Sequence, residues 1–436
     1  MKLLLLAFSL FISLVSNRYF SQILVGNNAV ISINTGAIVY CNGGIEIKNT
    51  QFTNNGDLTI TKNSTFPSTG NFQIENASVC QGNGIYSVEQ DWINDAIFNA
   101  NTSTVKLFGN TEQLITSTNG TSTTFNNLQL TGNGTALNRR KTLTNVDVSI
   151  SATGVLNLGD RELNGNTHNL YVLNPSSASI TGSLVMNNEG FISNTTNGFA
   201  SWVTNSTDSY VFPVGSSDGN LKFRPVVIAP NSANISNYAV RFNNYIADND
   251  AYPIASKEST IDQINNAFYH SIELISGESN VNLAIAYLSS ADGEFIGMAN
   301  WSSPTSIWKN IDGTLASSIG NYAAIQNNNW SFTGVDNPYI LTTLEEDLQI
   351  PNVFTPNNDG INDAYFVTAK GIKEFSMIIV NRWGDVVFSS DNVSEKWDGM
   401  YKGKLCSDGV YFYKINAKSA TKEYNKQGFI TLTANN

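Results

Sequence analysis

A seven-residue segment near the C-terminus carries side chains suited to binding a metal ion. Asn357, Asp359, Asn362 and Asp363 surround Gly360. Carboxylate and amide oxygens spaced in this way around a glycine are typical of the start of a calcium loop. No Glu occupies the position of the twelfth ligand of an EF-hand, so we exclude that motif. Two interpretations remain: a calcium site, or a set of Asx turns in which Asn and Asp bind their own backbone.

Candidate catalytic residues are sparse. Polysaccharide hydrolysis needs a pair of carboxylates, and elimination needs a base beside a Lys or Arg that neutralises charge. Asp91 and Asp95 form an acidic pair beside Trp92, and residues 139–141 form a basic Arg-Arg-Lys cluster that we expect on a solvated turn. Because no other group converges on the acidic pair in the sequence, we predict that the protein is not an enzyme. A carbohydrate-active enzyme is the alternative.

The histidine and cysteine residues lack the spacing of a metal site. His168 and His270 are far apart, and we expect them to be surface or packing residues. The three cysteines are Cys41, Cys80 and Cys406. An exported chain could form a disulfide, and Cys41–Cys80 is the pair closest in sequence. The alternative is that all three remain separate thiols.

The composition restricts the partners of the protein. The formal net charge is −11, which argues against nucleic acid and against anionic lipid as ligands. Only 14% of the residues are charged, whereas 41% are hydrophobic. Because the hydrophobic fraction is large enough for a core, the low charge does not indicate disorder. A polar but weakly charged chain of this kind is typical of an extracellular β-protein.

The N-terminus has the pattern of a secretory signal peptide. A basic start at residues 1–2 precedes an apolar run at residues 3–15, and a polar stretch follows at residues 16–22. The run is shorter than the roughly 20 residues that span a bilayer. We therefore predict a signal peptide at residues 1–21 and no transmembrane segment in the mature chain. Loss of Lys2 and Arg18 would bring the net charge to −13.

Short alternating runs of apolar and polar residues dominate positions 22–208. Gly and Asn separate these runs and suit tight turns with positive φ. Alternation over four or five residues predicts strands with one buried face. We predict a parallel β-helix-like repeat region here, with a sandwich as the alternative. The runs are residues 56–60, 70–74, 125–130, 146–150, 154–158, 169–173 and 182–186.

Two further β-domains are predicted after this region. Residues 209–345 have longer apolar runs at wider spacing, which favours an antiparallel β-sandwich. Within it, residues 256–266 are expected to form a short helix or an irregular loop. Residues 348–436 contain apolar runs at 375–380, 386–388, 410–415 and 429–433. Their number and spacing predict a small immunoglobulin-like sandwich, so the fold class is all-β.

Three sequence blocks occur in a fixed order in this last region. The first is a stiff segment between two prolines followed by the polar loop, the second is Asn-Arg-Trp-Gly, and the third is Trp-Asp-Gly followed by a Gly-Val-Tyr-Phe-Tyr strand. Their residues are Pro351, Asn352, Phe354, Thr355, Pro356, Asp359, Gly360, Asn362 and Asp363; Asn381, Arg382, Trp383 and Gly384; and Trp397, Asp398, Gly399, Gly409, Tyr411 and Tyr413. We predict that Trp383 and Trp397 anchor the core of this domain. Arg382 is expected to stack on an aromatic ring or to pair with Asp385 or Asp398.

The three blocks resemble the gliding motility-associated C-terminal domain, the type B sorting domain of the type IX secretion system. Asn358 stands where members of that family usually have Gly, and Cys406-Ser407 replaces their usual Pro or Ala. The resemblance implies that the domain is recognised by the type IX secretion translocon. It also implies export through the periplasm to the cell surface or the extracellular medium.

The resemblance concerns a sorting tag and leaves the role of the remaining chain open. We predict a non-enzymatic secreted or cell-surface protein that is adhesin-like or structural. Its expected ligand is an extracellular carbohydrate or another cell-surface molecule.

Overall fold

The protein is all-β, with about 53% of its residues in strands and 3% in helices in a computed structural model. The chain divides into two compact units. The first comprises residues 1–256, 265–293 and 298–341, and the second comprises residues 257–264, 294–297 and 342–436. The structure describes residues 5–6, 10–12, 18–20, 24–64, 69–75, 77–195, 197–332, 338–344, 347–419 and 422–434. Most of the predicted signal peptide, residues 1–21, lies outside the described residues.

Parallel sheets build the N-terminal region, and the chain visits them in rotation. The first parallel sheet has nine strands: Leu5–Leu6, Leu24–Asn27, Ile45–Lys48, Phe72–Glu75, Trp92–Asn94, Gln113–Thr116, Arg140–Thr144, Glu162–Asn166 and Phe191–Asn194. The second has five: Leu10–Ile12, Val30–Ile33, Gln51–Asn54, Val79–Gln81 and Ile97–Asn99. The third has eight: Arg18–Phe20, Ile38–Asn42, Asp57–Thr61, Ile85–Val88, Thr104–Leu107, Asn127–Leu130, Leu156–Asn157 and Ile180–Thr181.

The predicted alternation sets which side chains face inward. In strand Asp57–Thr61, Leu58 and Ile60 are buried, and the polar residues between them point outward. Parallel neighbours align like with like, so that Val39, Leu58 and Tyr86 form one inward row. Each turn of the chain buries its apolar side only by stacking on the next turn.

Aromatic side chains fill the middle of this stack. Phe72 lies 5.0 Å from Trp92 and 5.5 Å from Tyr86, measured between ring centroids. Trp92 in turn lies 5.5 Å from Phe125 in an edge-to-face arrangement. All four rings are fully buried. Each such pair stabilises the fold by about 0.5–1.5 kcal/mol beyond the stabilisation that comes from the buried area.

We expected the basic cluster at residues 139–141 on a solvated turn, and this prediction is wrong. Arg139 and Lys141 are buried, and Arg139 donates hydrogen bonds to two backbone carbonyl oxygens. Lys141 Nζ donates to the carbonyl oxygen of Gly109 at 2.9 Å. Arg140 Nε lies 3.1 Å from Glu162 Oε2. The charges of Arg139 and Arg140 can be buried because hydrogen bonds and an opposite charge replace their water, whereas burial lowers the pKa of Lys141.

Of the two alternatives for Cys41 and Cys80, the structure favours separate thiols over a disulfide. Cys41 belongs to the third parallel sheet, whereas Cys80 belongs to the second and lies two turns of the chain away. Two strand spacings amount to roughly 9–10 Å, which exceeds the Cα separation of about 7 Å that a disulfide can bridge. Both residues remain buried thiols, and Cys41 Sγ donates to the carbonyl oxygen of Gly44 at 3.0 Å. Burial raises the pKa of the Cys41 thiol to about 11.

The ten-stranded sheet changes from parallel to antiparallel pairing at strand Ala200–Thr204. This strand pairs in parallel with Leu170–Val172 and antiparallel with Ser236–Asn243. Its pairing with the following segment covers what would otherwise be a sheet edge. The ten strands of the sheet are Thr123–Phe125, Val148–Ile150, Leu170–Val172, Ala200–Thr204, Ser236–Asn243, Tyr269–Ser276, Pro338–Leu344, Gly297–Ser302, Ile307–Asn310 and Ile261–Ile264.

A five-stranded antiparallel sheet completes the middle region. Its strands, in spatial order, are Tyr210–Phe212, Val226–Pro230, Asn280–Tyr287, Tyr322–Ser331 and Thr314–Ile319. Gly215–Ser216 pairs with Lys222–Phe223 in a separate ribbon. The described helices are short: Ala136–Arg139 and Ala247–Asp250 are 3₁₀ turns, and Ser289–Asp292 is an α-helical turn. No helix in the described part of the chain is long and apolar enough to cross a membrane.

Two local predictions are wrong. Residues 182–186, predicted as a strand, form an exposed loop that carries Leu184, Val185 and Met186 at the surface. Residues 256–266, predicted as a helix or loop, contain strand Ile261–Ile264, which pairs with Pro338–Leu344.

The C-terminal region is a separate five-stranded sheet with two small ribbons. The sheet has the spatial order Val353–Phe354, Glu423–Leu432, Gly409–Ser419, Ile372–Val380 and Val386–Ser390. The ribbons are Asp347–Gln349 with Thr368–Lys370 and Met400–Tyr401 with Lys404–Leu405.

Candidate recognition surface of the C-terminal domain

Trp397 anchors the core of the C-terminal domain, as predicted. Its side chain is 1% exposed, and its ring centroid lies 5.1 Å from that of Phe354 and 5.2 Å from that of Tyr411. The indole Nε1 donates to the carbonyl oxygen of Met400 at 3.1 Å. Backbone hydrogen bonds in both directions, each of 2.8 Å, join Trp397 to Tyr365. The tryptophan thus ties the third sequence block to the first.

The residues after Trp397 form a tight turn. Asp398 Oδ1 accepts a hydrogen bond from the backbone of Met400 at 2.9 Å. Gly399 has φ of +81°, and a Cβ atom there would lie 3.1 Å from Pro356 Cγ. Both the backbone conformation and the close approach of Pro356 therefore require glycine.

The loop at residues 357–363 is held by its own side chains. Asp363 accepts backbone hydrogen bonds on both oxygens, from Asn358 at 2.5 Å and from Gly360 at 2.7 Å. Asp359 Oδ1 accepts one from Ile361 at 2.7 Å. Asn357 Nδ2 donates to Asp359 Oδ2 at 3.0 Å. The bond from Ile361 to Asp359, and one of 3.2 Å from the backbone of Asp359 to Asn357 Oδ1, are those of consecutive Asx turns. Asp363 instead binds backbone N–H groups that precede it in the chain.

This arrangement favours the Asx-turn interpretation over the calcium one. The carboxylate oxygens of Asp359 and Asp363 are directed at backbone and amide N–H groups of the loop. Asn362 adopts φ of +56° and supplies its backbone carbonyl to Thr355. Within the described residues, no group of three or more His, Cys, Asp and Glu residues is placed to hold a metal ion. Calcium binding by this loop stays a prediction.

Asn381 builds the turn that carries the second sequence block. Its Oδ1 accepts hydrogen bonds from the backbone of Trp383 and of Asp385, both at 2.9 Å. Its Nδ2 donates to Asp385 Oδ2 at 3.0 Å. Gly384 has φ of +86°, which completes the reversal between strands Ile372–Val380 and Val386–Ser390. The side chains of Asn381 and Asp385 thus stabilise the turn.

Trp383 does not anchor the core, which corrects our prediction for this residue. Its side chain is 78% exposed at the tip of the turn. Arg382 stacks on it, with the guanidinium carbon 5.2 Å from the ring centroid. The expected stacking of Arg382 on an aromatic ring is therefore confirmed. The turn geometry explains the error, because the side chains inside an exposed five-residue reversal cannot reach the core.

A small hollow of about 180 Å³ lies beside this turn. It is lined by residues 381–383 and by residues 407–411. Tyr411 Oη donates to the carbonyl oxygen of Ser407 at 2.9 Å and fixes the second wall. The second block and the end of the third block, which are separate in sequence, thus meet at one surface.

An apolar row continues from the hollow across the outer face of the sheet. Phe429 pairs with Phe412, which pairs with Val380, which pairs with Val386. Phe412 and Phe429 are 47% and 54% exposed. Val410, which lines the hollow, is also exposed. Contiguous apolar surface of this kind is typical of an interaction site.

The other motif residues are divided between the core and the exposed surface of the domain. Phe354 is buried, Thr355 and Pro356 are half-buried, and Pro351 and Asn352 are exposed. Gly409 begins the strand that carries Tyr411 and Tyr413. Tyr413 lies so close to Gly428 that a Cβ atom there would be 2.5 Å from its hydroxyl oxygen.

The candidate catalytic residues of the N-terminal region do not converge with the histidines. Asp91 Oδ1 accepts a hydrogen bond from the backbone of Leu114 at 2.8 Å, and Asp95 Oδ1 accepts one from Ser117 Oγ at 2.9 Å. Burial raises the pKa of Asp91. His270 is buried against the carbonyl oxygen of Arg224, 2.8 Å from its Nε2, and burial lowers its pKa to about 4.

The family model of the CHU_C type IX secretion signal domain matches residues 348–432. This match confirms that the C-terminal region is a type IX secretion signal domain. The protein is therefore exported to the cell surface or the extracellular space. No curated protein and no solved structure matches the chain.

Proposed function

We propose that the secretion machinery reads the exposed Arg382–Trp383 pair together with the adjoining hollow. One observation carries this proposal: Trp383, a residue of the sorting motif, is exposed at the tip of a turn. The hydrogen bonds that Asn381 accepts from the backbone of Trp383 and Asp385 hold that turn in place. Exposed aromatic and arginine side chains are the residue types that dominate binding energy at protein interfaces. The apolar row of Phe412 and Phe429 would extend the contact.

We further propose that the rest of the chain is a non-enzymatic passenger, adhesin-like or structural. Rotation of the chain through three parallel sheets supports a β-helix for residues 22–208. The antiparallel five-stranded sheet and the antiparallel part of the ten-stranded sheet support a β-sandwich in the middle region, and the small sheet with its two ribbons supports an immunoglobulin-like tail. Stacked turns of this kind provide long, regular faces suited to contact with an extended ligand.

A carbohydrate-active enzyme is the second candidate, and the pair Asp91 and Asp95 is the observation on which it rests. Both carboxylates join neighbouring turns of the chain through hydrogen bonds, to Leu114 and to Thr118. A structural role accounts for these bonds without catalysis. Release of reducing ends from a polysaccharide by the purified chain, abolished in Asp91→Asn, would favour the enzyme over the passenger role.

The recognition surface can be tested in a bacterium that has a type IX secretion system. We expect the full chain to reach the surface or the medium, and the chain without residues 348–436 to stay in the periplasm. The double variant Arg382→Ala/Trp383→Ala should also stay in the periplasm. Phe366→Ala is a matched control, because Lys396 Nζ lies 4.6 Å from the centroid of that exposed ring in the same domain. Export of the double variant at the level of the control would refute the proposal.

A further inference from the structure

An open cleft of about 590 Å³ lies on one face of the five-stranded antiparallel sheet. A row of paired residues crosses its floor, from Val211 through Val227, Ala284 and Gln326 to Thr314. The intervening residues of these strands, such as Ile228 and Ile285, are buried on the opposite face. The volume lies within the range of about 300–1,000 Å³ that is usual for ligand sites.

The side chains that line the cleft are uncharged but include polar groups. Each described residue that lines it is uncharged, although the chain has a net charge of −11. Ala284 and the two valines offer short apolar side chains, so the floor stays open. Gln326 and Asn328 provide amides that lie side by side, with Gln326 Nε2 2.5 Å from Asn328 Oδ1. Thr314 and neighbouring serines add hydroxyl groups along the strand Thr314–Ile319.

We propose that this cleft binds a neutral polysaccharide in extended form. A sugar ring presents C–H groups on its faces and hydroxyl groups at its edges. The small apolar side chains on the floor can pack against the C–H groups. The amides and hydroxyls of Gln326, Asn328 and Thr314 can form hydrogen bonds with the sugar hydroxyl groups. The proposal deepens the passenger role and rests on it, since export brings the cleft into contact with extracellular glycans.

Two other ligand classes fit the cleft less well. An anionic polysaccharide needs Lys or Arg, whereas the described lining has neither and the acidic chain would repel it. A peptide strand usually joins a sheet edge through main-chain hydrogen bonds. The floor of the cleft lies on a sheet face, where strands Val226–Pro230 and Asn280–Tyr287 have neighbours on both sides. The lining also reaches the edge strand Thr314–Ile319, so the test below includes a peptide ligand as a contradicting outcome.

The test uses the purified mature chain and an array of defined hexasaccharides. The neutral probes are β-1,4-glucan, α-1,4-glucan, β-1,3-glucan, β-1,4-xylan and β-1,4-mannan, and the anionic probes are oligogalacturonate and hyaluronate. Thr314→Trp fills the cleft from an exposed position, and Gln326→Ala removes an amide. Ala233→Trp is the control, because Ala233 is exposed and does not line the cleft.

We expect at least one neutral probe to bind the wild-type chain and the Ala233→Trp variant. Binding should fall at least tenfold in Thr314→Trp and in Gln326→Ala, while the circular dichroism spectra remain unchanged. Binding of only the anionic probes, failure of every neutral probe, or undiminished binding in both cleft variants would overturn the proposal. A screen that yields only peptide ligands would do the same. Because purified protein is used, failure here leaves the export surface untouched.

Discussion

The guanidinium carbon of Arg382 lies 5.2 Å from the ring centroid of Trp383, and both side chains project from the same turn. Such a pair contributes roughly 0.5–1 kcal/mol at an exposed site. That is too little to explain why a large apolar ring stays in water. The stacking instead limits the rotamers of Trp383, so less side-chain entropy is lost when a partner covers it.

The two tryptophans of the sorting motif should respond in opposite ways to truncation. Trp397→Ala removes a buried ring and should lower the free energy of unfolding of residues 348–436 by about 3–5 kcal/mol. Trp383→Ala should change it by less than about 0.5 kcal/mol, as is usual for surface substitutions. Urea denaturation followed by circular dichroism measures both values. Comparable losses in the two variants would mean that Trp383 has a packing role.

The polar loop should be stable without calcium. Asp363→Asn leaves one side-chain oxygen where two backbone N–H groups are now bound, so we expect a loss of about 1–2 kcal/mol. Excess EDTA should leave the thermal midpoint of the wild-type domain unchanged. Asp391→Asn, at an exposed position elsewhere in the domain, serves as the control. A fall in the midpoint with EDTA that added calcium reverses would establish a calcium site instead.

Lys141 should make the stability of the protein depend on pH. Burial, helped by the nearby charge of Arg161, lowers its pKa from 10.5 to about 7. Between pH 7 and pH 10.5 the unfolded chain therefore binds a proton at this residue that the folded chain does not bind. By linkage, this residue makes the free energy of unfolding rise with pH across that window.

The variant Lys141→Met isolates this contribution. The rise in stability between pH 7 and pH 9 should be smaller in the variant than in the wild-type chain, as measured by chemical denaturation at each pH. Lys106→Met removes a charge from a less buried position of the same region and controls for net charge. An equal slope in the wild-type chain and Lys141→Met would show that the lysine stays charged in the folded state.

Local patterns predicted the strands well where one face is buried. The run at residues 56–60 became strand Asp57–Thr61, because Leu58 and Ile60 have a core to face. The run at residues 182–186 became a loop instead, and its three consecutive apolar residues, Leu184, Val185 and Met186, are all exposed. Alternation alone does not reveal whether a partner strand exists.

The candidate site was predictable in its residues but not in their roles. Trp383 and Trp397 are the same residue type in similar motifs, yet the fold places one ring at the surface and the other in the core. One sequence signal could have separated them. Asn381 and Asp385 bracket Trp383 at Asx-turn spacing with Gly384 between, which indicates an exposed reversal.

Contacts between residues that are distant in sequence could not be predicted from local patterns. Residues 139–141 are basic, and we therefore predicted that they would be solvated. In the structure, Glu162 lies beside Arg140 because their strands pair in parallel, and no local pattern specifies that pairing. The hollow likewise depends on two loops that are 24 or more positions apart along the chain. Such contacts follow from strand register, which is set by the whole sheet.

Transfer of the tail to an unrelated reporter separates its role in export from that of the rest of the chain. Residues 348–436 are fused to a periplasmic reporter protein, with and without Arg382→Ala/Trp383→Ala, in a bacterium with type IX secretion. We expect the intact tail to carry the reporter to the cell surface or the medium, and the double variant to accumulate in the periplasm as a folded protein. Equal export of both fusions, or retention of the intact one, would refute recognition of the Arg382–Trp383 surface.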